Sequence, residues 1–192
     1  MSSFWNSQDV RPKRNYKFRV QFSPASATAG AAPAATVLWW AKTVTLPSFD
    51  VSEVEHDYFD NKYYFPGRTT WNDVSLTLVD PISVDAAAQT SALLENSGYQ
   101  IASNNASKTS TINKSQANAA AGTVTITVYE EDLGALTAVE TWTLNNAWIK
   151  SAKYGDLDYS SDDFKMIELV LRYDWASHQP GDTTAAEFFT AS

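Results

Sequence analysis

Hydrophobic and polar residues alternate with period two along most of this chain, a pattern that predicts β-strands with one buried face. In residues 16–22, "YKFRVQF", Tyr16, Phe18, Val20 and Phe22 alternate with Lys, Arg and Gln. The same period runs through "VLWWAKTVTL", "DVSLTLVDP", "TVTITVYEED", "VETWTLNNAWI" and "KMIELVLRYDW". Each run is therefore interpreted as one strand of a largely antiparallel protein.

One segment has helical character. "VDAAAQTSALLENSG" offers Asp85 as N-cap, good helix formers in its interior and Gly98 as its end. Residues 101–122 hold almost no large apolar group and predict a long surface loop, with a helical turn in "KSQANAAA". The predicted fold is mainly β, a two-sheet sandwich or partly closed barrel with one flanking α-helix.

The segment from Pro47 to Trp71 alternates poorly and holds five carboxylates and seven aromatic side chains. It predicts a long hairpin-like excursion with its tip near Asp60-Asn61 and a turn at Pro66-Gly67. The five aromatic residues that fall within eight positions cannot all reach one core, so burial in an interface is the favoured interpretation; they are Tyr58, Phe59, Tyr63, Tyr64 and Phe65.

Composition narrows the function classes. The chain has 192 residues, which suits one domain: a core over about 16–175, an N-terminal arm 1–15 and a polar tail 176–192. The net charge of −8 argues against sequence-reading DNA binding. The absence of cysteine excludes disulfides and thiolate ligands. Neither a signal peptide nor a membrane span is expected.

The acidic loop in "AKYGDLDYSSDDFK" has the spacing of a calcium site at Asp156, Asp158, Ser160 and Asp162. Its sixth position is Ser161, where an EF-hand needs Gly, and its twelfth is an isoleucine. A strand connection stabilised by Asx turns is therefore the favoured interpretation, and no metal is expected.

No catalytic constellation emerges either. His56 and His178 are the only histidines, and the chain has no HExxH, no GxSxG and no glycine-rich phosphate loop. Acidic residues of the excursion could pair for glycoside hydrolysis, but a solvated or partner-facing surface is the commoner role. Neither enzymatic activity nor a cofactor is expected. Four aromatic residues at strand spacing are expected in the core rather than on a sugar-stacking platform: Phe18, Trp40, Trp142 and Trp148.

Three segments in order resemble the tail tube proteins of contractile-tailed bacteriophages, which are related to type VI secretion tube proteins. They are "AKTVTLPSFDV", "FPGRTTWNDVSLTLVDP" and "AWIKSAKYGDLDYSSDDFKMIELVLRYDW". The shared features are a Leu-Pro turn, a Gly-Arg-Thr run (residues 67–69) before Trp71 and Asp73, and a Gly-x-Leu loop before the last strand. The resemblance covers nearly all of residues 16–175.

This resemblance implies hexameric rings, each closed by a continuous β-barrel, stacked into a tube inside a virion tail. Genomic DNA and the tape-measure protein would pass through the lumen without specific binding, with sheath, baseplate and tail-terminator proteins as further partners. The excursion would reach the next ring. The ring-stacking candidates are Leu46, Pro47, Phe49, Tyr58, Phe59, Tyr63, Tyr64, Phe65, Arg68 and Trp71. The acidic candidates for the lumen or surface are Glu53, Glu55, Asp57, Glu168 and Asp174.

Three alternatives stay open at this stage. A baseplate tube-initiator or a tail terminator of the same fold would seed or cap a tube instead of polymerising. The inner tube of an injection or secretion system would share the architecture without carrying DNA. A carbohydrate-binding sandwich would use exposed Trp and acidic side chains and would form no ring.

Overall fold

The computed structural model describes residues 13–23, 36–38, 41–82, 85–99, 113–132 and 135–181. The elements are β1 (Phe18–Ser23), β2 (Thr36–Leu38), β3 (Ala41–Val44), β4 (Phe49–Tyr58), β5 (Asn61–Trp71), β6 (Val74–Val79), α1 (Ala86–Asn96), α2 (Lys114–Ala121), β7 (Thr123–Asp132), β8 (Ala135–Asn145), β9 (Trp148–Lys153), β10 (Met166–Arg172) and β11 (Trp175–Pro180). Within these ranges the fold is mainly β, as the alternation predicts.

The strands form three antiparallel sheets. A five-stranded sheet has the order β11-β8-β7-β1-β2, a four-stranded sheet the order β3-β6-β10-β9, and β4 pairs with β5 alone. Buried side chains of the two larger sheets form one hydrophobic cluster, so these sheets enclose the core of a sandwich. Its largest fully buried side chains are Val20, Phe22, Val74, Leu76, Leu78, Val124, Ile126, Leu144, Ile167, Leu169 and Leu171.

Two of the predicted strands are each divided between the sheets. The run "VLWWAKTVTL" gives β2 to the five-stranded sheet and β3 to the four-stranded one, and Trp39 and Trp40 between them lie outside the described residues. The run "VETWTLNNAWI" breaks at Asn146, whose φ of 55° lies in the left-handed region. Period-two patterning specifies a buried face but not the sheet that buries it.

The break at Asn146 corrects part of the aromatic-core prediction. Trp148 lies beyond it on β9 and is 37% exposed, so its assignment to the core is wrong. Phe18 and Trp142 are partly buried and pack against the core cluster. Tyr16 precedes β1 and is exposed, because the strand begins only at residue 18.

Both helix signals have a structural counterpart. Asp85 caps α1 by accepting a hydrogen bond from Ala88 N at 2.8 Å, and Gly98, with a φ of 94°, follows its end. The "KSQANAAA" segment forms α2, a longer helix than the single turn expected, with Asn113 accepting from Gln116 N at 2.8 Å. Neither helix that the structure describes is long and apolar enough to cross a bilayer.

The end of the described chain also differs from the sequence interpretation. Residues Trp175–Pro180, which were assigned almost entirely to the polar tail, form β11 and pair with β8. Ala176 is fully buried in this strand. Its small apolar side chain and the following His178 face inward, whereas the surrounding polar residues give the segment a tail-like composition.

Asp80 ties the four-stranded sheet to α1. Its carboxylate accepts from Ala86 N at 3.0 Å and from Lys165 Nζ at 2.8 Å. The hydrogen bond from Lys165 lowers the pKa of Asp80 below its ordinary value of 3.8. A lowered folded-state pKa means that the carboxylate stabilises the fold above the unfolded-state pKa and loses this effect as the pH falls through the folded-state value.

We therefore expect Asp80→Asn to lower the free energy of unfolding by about 1 kcal/mol at pH 7, the size of a lost helix-capping interaction. The difference from the natural chain should shrink at pH 3, below the unfolded-state pKa of about 3.9, because the unfolded chain then takes up a proton that the folded carboxylate binds less readily. Urea titrations at the two pH values measure both quantities, with Glu95→Gln on the exposed side of α1 as control. If Asp80→Asn lowers the free energy of unfolding equally at both pH values, the stabilising role given to the Asp80 carboxylate is wrong.

Candidate functional site

The excursion between β3 and β6 is a two-stranded ribbon that prolongs the four-stranded sheet. Thr45 N donates to Ser75 O at 2.9 Å, and Asn72 N donates to Ser48 O at 2.8 Å. These bonds join the β3–β6 pairing to the β4–β5 pairing. The ribbon, here called the hairpin (residues 49–71), therefore grows out of a folded sheet rather than from a loose loop.

Only the base of the hairpin packs against its own domain. The rings of Phe49 and Trp71 lie 5.2 Å apart between centroids, and Trp71 lies 5.9 Å from the buried Tyr173. Every residue from 51 to 70 is exposed. With about 3.3 Å per residue, β4 carries the tip about 30 Å from the base.

The tip lies where the sequence predicts it, but the second turn does not exist. Phe59 and Asp60 form the turn, and Tyr58 pairs with Asn61. Pro66 and Gly67 lie inside β5, so the prediction of a turn there is wrong. Breaker residues are found in strands where the pairing is irregular, and that is their position here.

The irregularity is a β-bulge in β5. Val51 pairs with Thr69 and Glu53 pairs with Pro66, so β5 has one residue more than β4 between these pairs. Ser52 Oγ accepts a hydrogen bond from Arg68 N at 2.8 Å. A Cβ atom on the neighbouring glycine would lie 2.4 Å from Ser52 Oγ and 2.9 Å from Ser52 O. Glycine is thus required by close approach.

Replacement of that glycine, Gly67→Ala, is expected to disturb the bulge and shift the register of the outer hairpin. The clash includes a backbone oxygen, so the cost should be about 1–3 kcal/mol, as for overpacking elsewhere. Hydrogen exchange should become faster for amides of the outer hairpin and stay unchanged for β7 and β10. Thr69→Ala serves as control, and equal exchange in both variants would argue against the close-approach role.

The register of the outer hairpin separates its side chains into two unlike faces. Alternation places paired residues on the same side. One side, the apolar face, consists of Val54, His56, Tyr58, Tyr63 and Phe65. The other, the acidic face, consists of Glu53, Glu55, Asp57 and Tyr64, with Lys62 and Pro66. The hairpin therefore offers two chemically different surfaces, and neither is covered by the described residues.

The remaining stacking candidates lie at the base and differ in accessibility. Leu46 is 46% exposed and Phe49 43% exposed, and Arg68 is also exposed beside the bulge. Pro47 is buried, and Trp71 is half-buried against the core. Of the ten ring-stacking candidates, Pro47 and Trp71 are therefore the two that mainly contact their own chain.

The acidic candidates fall into two groups. Glu53, Glu55 and Asp57 are exposed on the hairpin, where Glu55 forms an ion pair with Lys62. The other two lie elsewhere. Glu168 projects from β10, with its Oε2 3.7 Å from Lys153 Nζ.

Asp174 follows β10 and is bound by Lys114 at 2.7 Å and by Asn146 at 2.8 Å. The hydrogen bond from Lys114 lowers the pKa of Asp174. A carboxylate in this position is partly neutralised within its own chain. The free acidic surface of the described chain is therefore concentrated on the hairpin and on the loop between β9 and β10.

Among the described strands, neither large sheet closes on itself. The five-stranded sheet ends in β2 and β11, and the four-stranded sheet ends in β3 and β9. Each terminal strand has one hydrogen-bonded neighbour among the described strands. Open edges of this kind are available for pairing with strands of another chain.

The outward faces of both sheets are polar and carry few charges. Cross-strand rows on the five-stranded sheet consist of Gln21, Thr125, Thr143 and Ser177, and of Arg19, Thr127, Thr141 and Gln179. The four-stranded sheet turns Ser75, Thr77 and Ser151 outward, beside the Glu168–Lys153 pair. Hydroxyl groups thus dominate the surfaces opposite the core.

The acidic loop is a strand connection, as predicted. It runs from residue 154 to residue 165 between β9 and β10. Asp158 accepts from Ser160 N at 2.9 Å and from Ser160 Oγ at 2.8 Å, which is an Asx turn and lowers the pKa of Asp158. No cluster of three or more potential metal ligands occurs among the described residues.

The two histidines lie on different sheets. His56 is on the apolar face of the hairpin, opposite Tyr63. His178 is on β11, where its ring stacks on Trp142 at 4.5 Å and its Nε2 lies 3.3 Å from Glu140 Oε1. The structure does not bring them together into a common site.

Sequence reasoning missed a pocket beside the hairpin base. It has a volume of about 570 Å³ and lies between β5, α2 and the ends of β9 and β10. Its walls include Thr69, Trp71, Ala117, Trp148 and Tyr173. The residues come from four separate segments, so no local pattern could reveal the pocket. The one available signal was Trp148, a large apolar residue directly after a break in the alternation.

No family model and no curated protein sequence matches this chain. Solved structures do. A chain in the cryo-EM structure of the anti-feeding prophage baseplate is 17% identical, with a TM-score of 0.64, covering 90% of this chain and 98% of that chain.

Two other structures are similar over comparable lengths. A chain of the anti-feeding prophage tube-terminating cap is 15% identical, with a TM-score of 0.62 and coverage of 94% and 99%. A chain of the PVC sheath–tube complex, from an extracellular contractile injection system in its extended state, is 18% identical, with a TM-score of 0.58 and coverage of 88% and 92%. The chain therefore has the tail tube-like fold that is found in components of contractile injection systems, as the resemblance in its sequence predicts.

Proposed function

We propose that this chain is a structural subunit of stacked hexameric rings that form the inner tube of a phage-type contractile tail. The observation that carries the proposal is the combination of open sheet edges with a free-standing aromatic hairpin in a chain of this fold. A protein that worked alone would leave both kinds of surface without a partner. Assembly supplies a partner for each.

Ring closure uses the sheet edges. Pairing a terminal strand of one copy with a terminal strand of the next satisfies backbone groups that face solvent in the single chain. Repetition around an axis closes a barrel and removes every edge. One domain spanning the whole chain, with a core and two flanking terminal segments, is the repeating unit.

Ring stacking uses the hairpin. It extends about 30 Å from the sandwich, so its outer half lies beyond the body that would form the ring. The aromatic side chains of its apolar face each bury about 150–250 Å² when covered completely. Tyr64 and the carboxylates of the opposite face remain available to the lumen or to a polar contact.

The sheet surfaces and the net charge suit a tube through which DNA passes. The rows of paired residues on the described five-stranded sheet are rich in hydroxyl groups and hold one cation, Arg19, and the charge of −8 per chain has the same sign as DNA. Genomic DNA and a tape-measure protein can then move along such a wall without specific binding. Sheath, baseplate and terminator proteins would complete a tail in the virion.

Negative-stain electron microscopy of the purified chain tests this function. We expect hollow rings at low concentration and stacked tubes at high concentration. Analytical ultracentrifugation should give a hexamer mass for the ring. If the chain stays monomeric at every concentration, with or without a baseplate to seed growth, the proposal that it polymerises is wrong.

A tube-capping or tube-initiating role is the second candidate. It is favoured by the similarity to the anti-feeding prophage baseplate and cap chains, whose TM-scores of 0.64 and 0.62 exceed the 0.58 of the sheath–tube complex. A cap or an initiator would form single rings that bind the end of a tube and would not polymerise. The inner tube of an injection system differs only in its cargo, which DNA protection inside purified particles would reveal.

A further inference from the structure

The tip of the hairpin combines backbone strain with exposure. Phe59 has a φ of 53°, in the left-handed region that favours glycine or asparagine, and its side chain is 86% exposed. Its ring packs edge-on against Tyr58 with 4.6 Å between centroids. Apart from this contact with Tyr58, no described residue covers the Phe59 ring. Strain of this kind at an exposed position indicates a function outside the chain.

The pocket at the hairpin base has complementary properties. Its volume of about 570 Å³ lies within the range of about 300–1,000 Å³ that is usual for ligand sites. Trp71, Trp148 and Tyr173 give it aromatic walls. Trp148 is 37% exposed, although the tryptophan would gain free energy from being covered.

The net charges at the two ends have opposite sign: Lys62 lies opposite Asp57 near the tip, and Asp174 lines the pocket, but carboxylates are in excess at the tip and cations at the pocket. Asp57 and Asp60 flank the two tip rings. Lys114 and Arg172 lie at the pocket, and their side chains are 67% and 36% exposed although each has a carboxylate partner in the chain. Approach of the tip would bring additional carboxylates to these cations, which favours the correct orientation.

We propose that the Tyr58–Phe59 tip of one copy inserts into the pocket at the hairpin base of another copy. A two-stranded ribbon about 30 Å long cannot fold back onto its own base, so a hairpin tip that fills the pocket must come from a second chain. Each chain carries one tip and one pocket, so the contact is head-to-tail and repeats along an axis. This proposal rests on the tube function and assigns the contact that stacks one ring on the next.

Phe59→Gly tests the tip without loss of the fold. Glycine suits the left-handed turn, so the melting temperature of the unassembled chain should stay equal or rise. The critical concentration for tube formation should increase at least tenfold, because the inserted ring is gone. Tyr159→Gly removes an exposed aromatic side chain from the acidic loop and should leave tube formation unchanged. Tubes formed by Phe59→Gly as readily as by the natural chain would overturn the proposal.

Disulfide trapping tests the pocket, because the chain has no cysteine of its own. Copies with Asp60→Cys are mixed with copies with Thr69→Cys and oxidised after assembly. We expect cross-linked pairs between the two variants and none when Tyr159→Cys replaces Thr69→Cys. Equal cross-linking in both mixtures, or none in assembled tubes, would contradict insertion at this pocket.

The possible outcomes separate this contact from the tube function. If the natural chain forms no tube, both proposals fail. If it forms tubes that Phe59→Gly also forms, only the tip contact fails. A different occupant is the apolar pair Phe188-Phe189, which lies outside the described residues. Loss of tubes on shortening the chain to Gly181, with Phe59→Gly unaffected, would assign the pocket to that segment instead.

Discussion

Replacing Tyr63, Tyr64 and Phe65 with Ser is expected to abolish tube growth while the far-UV circular dichroism spectrum of the chain stays the same. The three side chains are 49%, 57% and 55% exposed in the single chain and do not belong to the core cluster. Aromatic residues at the centre of an interface contribute about 2 kcal/mol or more each. Loss of all three side chains should raise the critical concentration for tube formation by more than about a thousandfold.

A control variant removes three apolar side chains that are even more exposed, from another surface. Leu157, Tyr159 and Phe164 are 85%, 113% and 78% exposed in the acidic loop, and their replacement with Ser should leave tube growth intact. Tyr64→Ser alone tests the acidic face, whereas a Tyr63→Ser, Phe65→Ser pair tests the apolar face. Unfolding of the triple variant would place these rings in a core, and normal tubes would exclude the hairpin from stacking.

The second large effect is on the core, where Leu169→Ala should lower the free energy of unfolding by about 2–5 kcal/mol. Leu169 is 2% exposed at the centre of the four-stranded sheet, between Leu76 and Ala152 on the flanking strands. Removal of its side chain leaves a cavity that the two packed sheets can close only in part. Native domains are stable by only about 5–15 kcal/mol, so this loss is a large share.

Urea unfolding followed by tryptophan fluorescence measures the change. The neighbouring Glu168→Ala is the control, because its side chain is exposed and should alter the free energy of unfolding by less than about 0.5 kcal/mol. Since this sheet also carries the hairpin base, Leu169→Ala should reduce tube formation in proportion to unfolding. A loss of tubes in a fully folded Leu169→Ala chain would require another explanation.

The resemblance to tail tube proteins and the fold agree, although the chain is at most 18% identical to the three similar structures described above. One of the segments that carry the resemblance contains a Gly-Arg-Thr run (residues 67–69), and its glycine permits the close approach of Ser52 that forms the bulge. The sequence predicts a turn at this position, whereas the structure has a β-bulge.

The sequence by itself determined the segments that alternate as strands, the cap of α1, the tip of the hairpin and the Asx turn of the acidic loop. Each depends on residues that are neighbours along the chain, through alternation, capping or turn geometry. The surplus of aromatic residues in the excursion was also visible, since no single core could bury them all.

Only the tertiary structure decided which sheet each strand joined, because the alternation in "VLWWAKTVTL" and "VETWTLNNAWI" is equally satisfied by either sheet. The strand β11 escaped prediction because its partner β8 lies about 30 residues earlier, and pairing rather than composition holds it in place. The pocket at the hairpin base arises from four distant segments. Contacts between residues far apart in sequence are fixed by packing, which no local pattern records.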